Sequence, residues 1–310
     1  MTLAFVFPGQ GSQSVGMLAE LAHSQPQVEA TYAEASRVLG YDLWALVQQG
    51  PEADLNLTCK TQPAMLAAGV AAWRVWQARG GTQPAYLAGH SLGEYTALVC
   101  AGALEFTDAV DLVARRGEFM QAAVAEGSGA MAAILGLDDA EVRAVCAEAA
   151  QGAVVEAVNF NSPGQVVVAG ETAAVARALE LAKQAGAKRA VLLPVSVPSH
   201  CALMRPAAEQ LGARLRNTVL QAPRIPVINN VDVAAYDGAE SIRDGLTRQL
   251  YQPVRWAEVI QALAQKGVGV LVECGPGKVL TGLNKRIVPE MKMLPLHDPA
   301  TLAAALAAVA

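Results

Sequence analysis

The sequence predicts an α/β protein in two parts: a large domain with a short parallel sheet, formed by residues 1–126 and 197–310, and an inserted small domain of the ferredoxin-like βαββαβ kind at 127–196. Length is the first observation behind this reading, since 310 residues exceed one typical domain and fall short of three. The second is a strand–turn–helix rhythm, in which short apolar runs pass through glycine into segments with helical spacing. The third is the order β-α-β-β-α-β in the middle of the chain, an insert of about 70 residues.

Taken in order, residues 3–7 are an apolar strand that runs into Pro8-Gly9-Gln10-Gly11-Ser12-Gln13, a turn with enough glycine to bring backbone amides close to a ligand. Residues 62–79 carry apolar side chains at helical spacing, hold Pro63 only near the start and stop at Gly80-Gly81. Residues 85–88 read as a strand, 89–93 as a sharp turn and 92–101 as the helix that follows. Thr107 is placed as the cap of a helix reaching Val124, with Leu112, Arg116 and Met120 on one face at four-residue spacing.

In the insert, 130–135 is a strand, and Asp138 with Glu141 three residues on starts a helix that ends near Gly152. Strands at 154–160 and 165–169 flank the turn Asn161-Ser162-Pro163-Gly164, and a helix over 172–185 leads to a last strand at 190–195. After it come a helix over 203–218, a strand at Val227-Ile228, helices over 242–251 and 254–266, and a strand over 270–273. Gly275-Pro276-Gly277 then turns into a helix over 279–287.

Composition narrows the function. An apolar fraction of 53% with 16% charged residues specifies a packed core rather than a disordered chain. No apolar run reaches the roughly 18 residues of a membrane span, and the chain opens on a strand rather than a charged n-region, so a cytoplasmic protein without membrane contact is expected. Cys59, Cys100, Cys146, Cys201 and Cys274 are an odd number at wide spacing with no paired Cys/His pattern, which implies free thiols and no zinc. A net charge of -5 argues against a nucleic-acid partner, and any acidic partner must meet a local basic patch.

Gly89-His90-Ser91-Leu92-Gly93 lies between a predicted strand and a predicted helix, the setting in which G-x-S-x-G forms the nucleophile elbow of a hydrolase-like α/β domain. Glycines on both sides leave room for a strained turn that projects Ser91. The helix behind it offers N–H groups and a positive dipole end to a developing oxyanion. A neutral serine needs a base, and the chain has four histidines. His23 and His297 read as surface residues, and His90 points away from its neighbour. His200, after Val197-Pro198-Ser199, remains as the candidate base. No acid is assignable as a third member, so a carbonyl or amide is left to orient the histidine.

Phe7-Pro8-Gly9-Gln10-Gly11-Ser12-Gln13, Gly89-His90-Ser91-Leu92-Gly93-Glu94, Arg116-Gly117-Glu118-Phe119-Met120-Gln121, Val197-Pro198-Ser199-His200 and Glu273-Cys274-Gly275-Pro276-Gly277 together resemble the malonyl-CoA:acyl-carrier-protein transacylases of bacterial fatty-acid synthesis. The likeness spans essentially the whole chain. Acyltransferase domains of polyketide synthases share most of these motifs, and agreement across 157–165 favours the fatty-acid enzyme.

The resemblance implies that Ser91 accepts the acyl group and His200 is its base. It implies that the backbone N–H groups of Gln10 and Leu92 form the oxyanion hole, and that Gln249 supports the histidine through its main-chain carbonyl. Arg116 is implied to hold the free malonyl carboxylate, a task that suits a planar guanidinium. The implied substrates are malonyl-CoA and acyl carrier protein, whose pantetheine arm carries the acceptor thiol, with no metal or other cofactor and a monomeric enzyme.

Other readings stay open at this point. Asn159 and Asn161 serve equally as turn residues or as parts of the site, and Gly275-Pro276-Gly277-Lys278 as a plain connection. Lys188, Arg189, Lys285 and Arg286 are surface charges that could meet an acidic carrier or the phosphates of coenzyme A. A polyketide or malonate-decarboxylase acyltransferase, a serine thioesterase or hydrolase, and a non-catalytic carrier-binding scaffold are the rival functions.

Overall fold

Alternation in the first strand decides where the core forms. In β1 (Thr2–Phe7), Leu3, Phe5 and Phe7 join one apolar cluster while Ala4 and Val6 join another, so both faces of the strand are covered. The computed structural model of the chain describes residues 2–195 and 197–309; Ser196, at the expected domain boundary, and the terminal Met1 and Ala310 lie outside the described residues.

Four helices follow β1: α1 (Ala19–Ser24), α2 (Gln27–Leu39), α3 (Leu43–Gln49) and α4 (Glu52–Leu55). Then come α5 (Thr58–Ala78), β2 (Tyr86–Gly89), α6 (Gly93–Cys100) and α7 (Phe106–Ala122). The middle of the chain supplies β3 (Gly129–Leu135), α8 (Asp139–Ala150), β4 (Val155–Ser162), β5 (Gln165–Glu171), α9 (Thr172–Gln184) and β6 (Arg189–Leu192). The last part holds a short 3-10 turn (Ala202–Met204), α10 (Arg205–Arg216), β7 (Val227–Ile228), α11 (Ala239–Gln249) and α12 (Trp256–Gln265). It ends with β8 (Val268–Cys274), α13 (Val279–Ile287), β9 (Lys292–Leu296) and α14 (Pro299–Val309).

The chain thus has a mixed α/β architecture with two separate sheets. One is five-stranded and parallel throughout, in the order β7-β2-β1-β8-β9, and the other is four-stranded and antiparallel, in the order β4-β5-β3-β6. On the parallel sheet, Phe5 meets Trp73 and Trp76 of α5 edge-on at 5.4 and 5.1 Å, and Val6 packs on the far side in the cluster of Trp256. On the antiparallel sheet, Ile134, Val166 and Val168 pack under α8 and α9. The opposite face gathers Met131, Val158, Val167 and Ala169 around Cys201, the residue after His200.

Several elements depart from the sequence reading for physical reasons. Helix α7 begins at Phe106, and its cap is Glu105 in an extended conformation with no side-chain cap bond, so Thr107 does not cap it. Helix α5 starts at Thr58, ahead of Pro63, so the proline lies inside the helix, where its missing N–H removes one ladder bond. Strand β4 runs through Asn161 and Ser162, which the sequence assigns to a turn. The capping box of α8 forms as read: Asp138 accepts from Glu141 N–H at 2.8 Å and Glu141 accepts from Asp138 N–H at 2.7 Å.

Candidate active site

The parallel strands end where the site begins. Strand β2 stops at Gly89 and α6 starts at Gly93, which leaves Ser91 on the turn at φ 50, a left-handed conformation that residues with a Cβ seldom take. This turn fits only because its flanks are glycines. A Cβ on Gly93 would stand 2.0 Å from Phe7 O, and one on Gly89 would stand 1.9 Å from the Gly93 carbonyl carbon.

His200 comes to this turn from another part of the chain. Its Nε2 lies 2.8 Å from Ser91 Oγ, and its Nδ1 lies 2.7 Å from Gln249 O. Gln249 is the last residue of α11, so its carbonyl is one of those a helix terminus leaves unpaired. An Nδ1–H donated to that carbonyl leaves Nε2 as the acceptor for the serine proton, the tautomer a general base needs. His200 is itself held at φ 68 by an N–H bond to Leu250 O at 2.9 Å. Burial pushes its pKa down to about 3, helped by the nearby Arg116 charge and opposed by the Gln249 bond, so the imidazole stays neutral and ready to accept.

Arg116 is 2% exposed, and its Nη2 donates to Ser91 Oγ at 3.3 Å and to Gln249 Oε1 at 3.1 Å. Among the described residues it has no ion-pair partner, and its Nε has none for hydrogen bonding. Burial works against its charge, and the fields of Tyr95 and Glu94 support it. A fixed, unneutralised cation beside a nucleophile is a seat for an anionic group. The backbone N–H groups of Gln10 and Leu92 also face no acceptor within the chain among the described residues. Leu92 stands at the N-terminus of α6, where the helix dipole favours negative charge.

The site opens into a cavity of about 190 Å³ between the two sheets. Ser91, Arg116 and Met120 line it from one side and Met131, Asn161 and Leu193 from the other. Asn159 and Asn161 are therefore cavity residues on β4, and Asn161 Oδ1 lies 2.8 Å from His90 Nε2. His90, expected to point away from its neighbour, bonds Asn161 rather than Ser91 but lines the same cavity. His23 is exposed, while His297, read as a surface residue, is half-buried beside Asp298. Gly275-Pro276-Gly277-Lys278 is the connection from β8 to α13, whose first turn is capped by Glu273 through Leu280 N–H at 2.9 Å and Thr281 N–H at 2.7 Å.

Sequence reasoning missed the polar residues beneath the elbow, Asn230 and Tyr236, and gave Glu94 no role. The available signal was the pair Asn229-Asn230 directly after β7, since ligands of parallel sheets bind beyond the strand ends. Among the described residues no group of three or more His, Cys, Asp or Glu could hold a metal ion, and no helix is long and apolar enough to cross a membrane.

Comparison with known proteins points to one family. The acyl transferase domain family matches residues 4–297. The malonyl CoA-acyl carrier protein transacylase of Salmonella typhimurium is 62% identical over 303 residues, 98% of each chain. That of Bacillus subtilis is 44% identical over 301 residues, 97% of this chain and 95% of its own. The solved transacylase of Coxiella burnetii superposes with a TM-score of 0.99 at 51% identity, over 100% of this chain and 98% of that one. A malonyl-transacylase solved in complex with its type II PKS acyl-carrier protein matches with a TM-score of 0.98 at 59% identity, over 99% and 100% of the two chains.

Proposed function

The chain belongs to the malonyl-CoA:acyl-carrier-protein transacylase family and is an acyltransferase, and from that premise we propose that it moves malonyl groups from coenzyme A to the pantetheine thiol of acyl carrier protein through a malonyl-Ser91 intermediate. The observation that carries the proposal is one oxygen with two partners. Ser91 Oγ lies 2.8 Å from His200 Nε2 and 3.3 Å from Arg116 Nη2, so base and anion seat converge on the same nucleophile.

In this mechanism His200 takes the Ser91 proton as Oγ attacks the thioester carbonyl, and the N–H groups of Gln10 and Leu92 receive the oxyanion. Collapse of the tetrahedral intermediate breaks the C–S bond, and the proton on His200 passes to the departing coenzyme A thiolate. The pantetheine thiol then gives its proton to His200 and attacks the malonyl ester, and Ser91 leaves reprotonated. Arg116 pairs with the malonyl carboxylate throughout, and Gln249 holds the imidazole by its carbonyl. Neutralising the guanidinium also removes part of the field that depresses His200, which makes the base stronger once the right substrate is bound. No metal or redox group is needed for any step.

The accompanying fold reading is a hydrolase-like large domain at 1–126 and 197–310 with a ferredoxin-like insert at 127–196. The β4-β5-β3-β6 order and the separate apolar clusters of the two sheets support it. A cytoplasmic monomer serving fatty-acid synthesis completes the proposal. The neighbour paired with a type II PKS carrier favours a second reading of the pathway, in which the acceptor is a polyketide carrier.

Intact-protein mass spectrometry tests the function directly. Malonyl-CoA should add one malonyl mass, carrier protein should remove it, and Ser91→Ala should take up none while keeping its fold. A Ser91→Ala variant that labels normally would overturn the assignment.

A further inference from the structure

Beneath the elbow lies a buried polar network whose members Asn230, Glu94 and Tyr236 take no part in the transfer steps. Ser91 N–H donates to Asn230 Oδ1 at 2.7 Å, and Asn230 Nδ2–H donates to Gly89 O at 2.7 Å, so one amide side chain spans the turn from both ends. The backbone N–H of Asn230 donates to Glu94 Oε2 at 2.8 Å, and the Tyr236 hydroxyl donates to Glu94 Oε1. Gln249 closes the ring by donating its Nε2–H to Ser91 O at 3.1 Å. Asn230, Glu94 and Tyr236 are 0%, 1% and 6% exposed.

Such a network has a specific task in this fold. Ser91 is held at φ 50 between the end of the strand and the start of the helix, where its carbonyl accepts from Glu94 N–H at 3.1 Å but its own N–H has no backbone acceptor and depends on Asn230. A strained turn persists only where its surroundings over-determine it, and a fully satisfied buried network does so. Glu94 lacks an ion pair among the described residues, which makes a buried carboxyl there costly for packing alone.

We propose that Asn230 and Glu94 are positioning residues for acyl transfer: Asn230 fixes the Ser91 turn so that Oγ stays on the His200 Nε2 axis and Leu92 N–H faces the reacting carbonyl, and Glu94 fixes Asn230. This rests on the reading of Ser91 as the nucleophile.

Rapid-quench mass spectrometry of malonyl loading separates the two ideas. Failure of the unsubstituted enzyme to load at Ser91 would end the nucleophile reading before any variant is compared. If it loads, Asn230→Ala should lower the maximal loading rate about a hundredfold, the scale of a misplacement near 1 Å, with half-saturation by malonyl-CoA little changed because Arg116 is untouched. Glu94→Ala should slow loading about tenfold or more, and Glu94→Gln should recover most of that loss because its amide oxygen still accepts from Asn230 N–H. Should Asn230→Ala fail to fold, Tyr236→Phe removes a single hydroxyl and should lower the rate several-fold at unchanged half-saturation. Loading within twofold of the parent in folded variants overturns the proposal. So does a fall in rate, affinity and melting temperature together without rescue by Glu94→Gln.

Discussion

Among the described residues Arg116 is a cation held without a counter-ion, a setting that in the proposed reaction favours an acyl group carrying a carboxylate. A carboxylate entering the cavity loses hydration, so removing its partner should cost about 3 to 5 kcal/mol, the range for a stranded buried charge. Arg116→Ala should therefore lose malonyl transfer by that amount and spare acetyl transfer, which has no carboxylate to strand; equal losses for both substrates would make Arg116 structural. A second prediction concerns acid. Burial, then the Arg116 charge, takes His200 from 6.5 to about 3, so the unfolded chain binds its proton first and stability from this residue falls as pH drops through that window. Glu94 has the opposite sign: burial lifts its carboxyl from 4.5 to about 7, and its contribution is complete below 4.5 and lost as pH rises through 7. Glu94→Gln removes only the second effect, so its melting temperature should fall more steeply than the parent's between pH 6.5 and 4.5. Parallel curves there would mean Glu94 does not hold that proton. At this scale the pairing of Ser91 with His200 was legible because a nucleophile and a base are sought among particular residue types, and the structure brings the two within 2.8 Å. Asn230 and Tyr236 were not, because their roles are hydrogen bonds across 139 and 142 residues that exist only once the sheet has formed.

Helices α5 and α7 cross at Gly117, where a Cβ would stand 2.6 Å from Cys59 Cα and 2.9 Å from Thr58 O. Both contacts are backbone, so they cannot rotate aside. In Gly117→Ala a helix-propensity gain of about 1 kcal/mol opposes an overpacking cost of roughly 1 to 3 kcal/mol, and the rigid neighbours put the cost at the upper end. The variant should melt lower than the parent and bind malonyl-CoA more weakly, since Arg116 precedes the glycine and Thr58 lines the cavity. A higher melting temperature would mean that the helices part without loss. Elements marked by local chemistry were readable from sequence, as the capping box of α8 illustrates. Strand β9 was missed because Pro295 argues against a strand, and proline is admitted there because β9 is the sheet edge. Helix α14 was missed as well. Eight of its eleven residues are alanine or leucine and two of its residues are buried, so no face stands out.

The order of elements made both sheets legible, but not the way they meet. That junction is a few non-local bonds: Phe160 N–H to Val254 O at 3.0 Å, Val254 N–H to Val158 O at 2.9 Å, and His90 to Asn161. Beside this seam the last turn of α13 exposes Lys285 and Arg286, and Arg286 reaches across to Gln165 of β5 at 2.6 Å. A chain with net charge -5 repels an acidic carrier except where basic residues gather, so productive docking needs a local positive patch near the cavity mouth. Attraction of this kind acts within a Debye length of about 8 Å at physiological salt, which makes it sensitive to ionic strength. Reversing both charges, Lys285→Glu with Arg286→Glu, should raise KM for carrier protein about tenfold at low salt and less at high salt. A small pantetheine thiol carries no charged surface and should react with the malonyl-enzyme at its former KM. The ratio of the two constants, measured across salt concentrations, isolates docking from chemistry. Equal changes for both acceptors, or a carrier effect that salt leaves untouched, would move the docking surface elsewhere, with Lys188 and Arg189 at the start of β6 as the next pair to reverse.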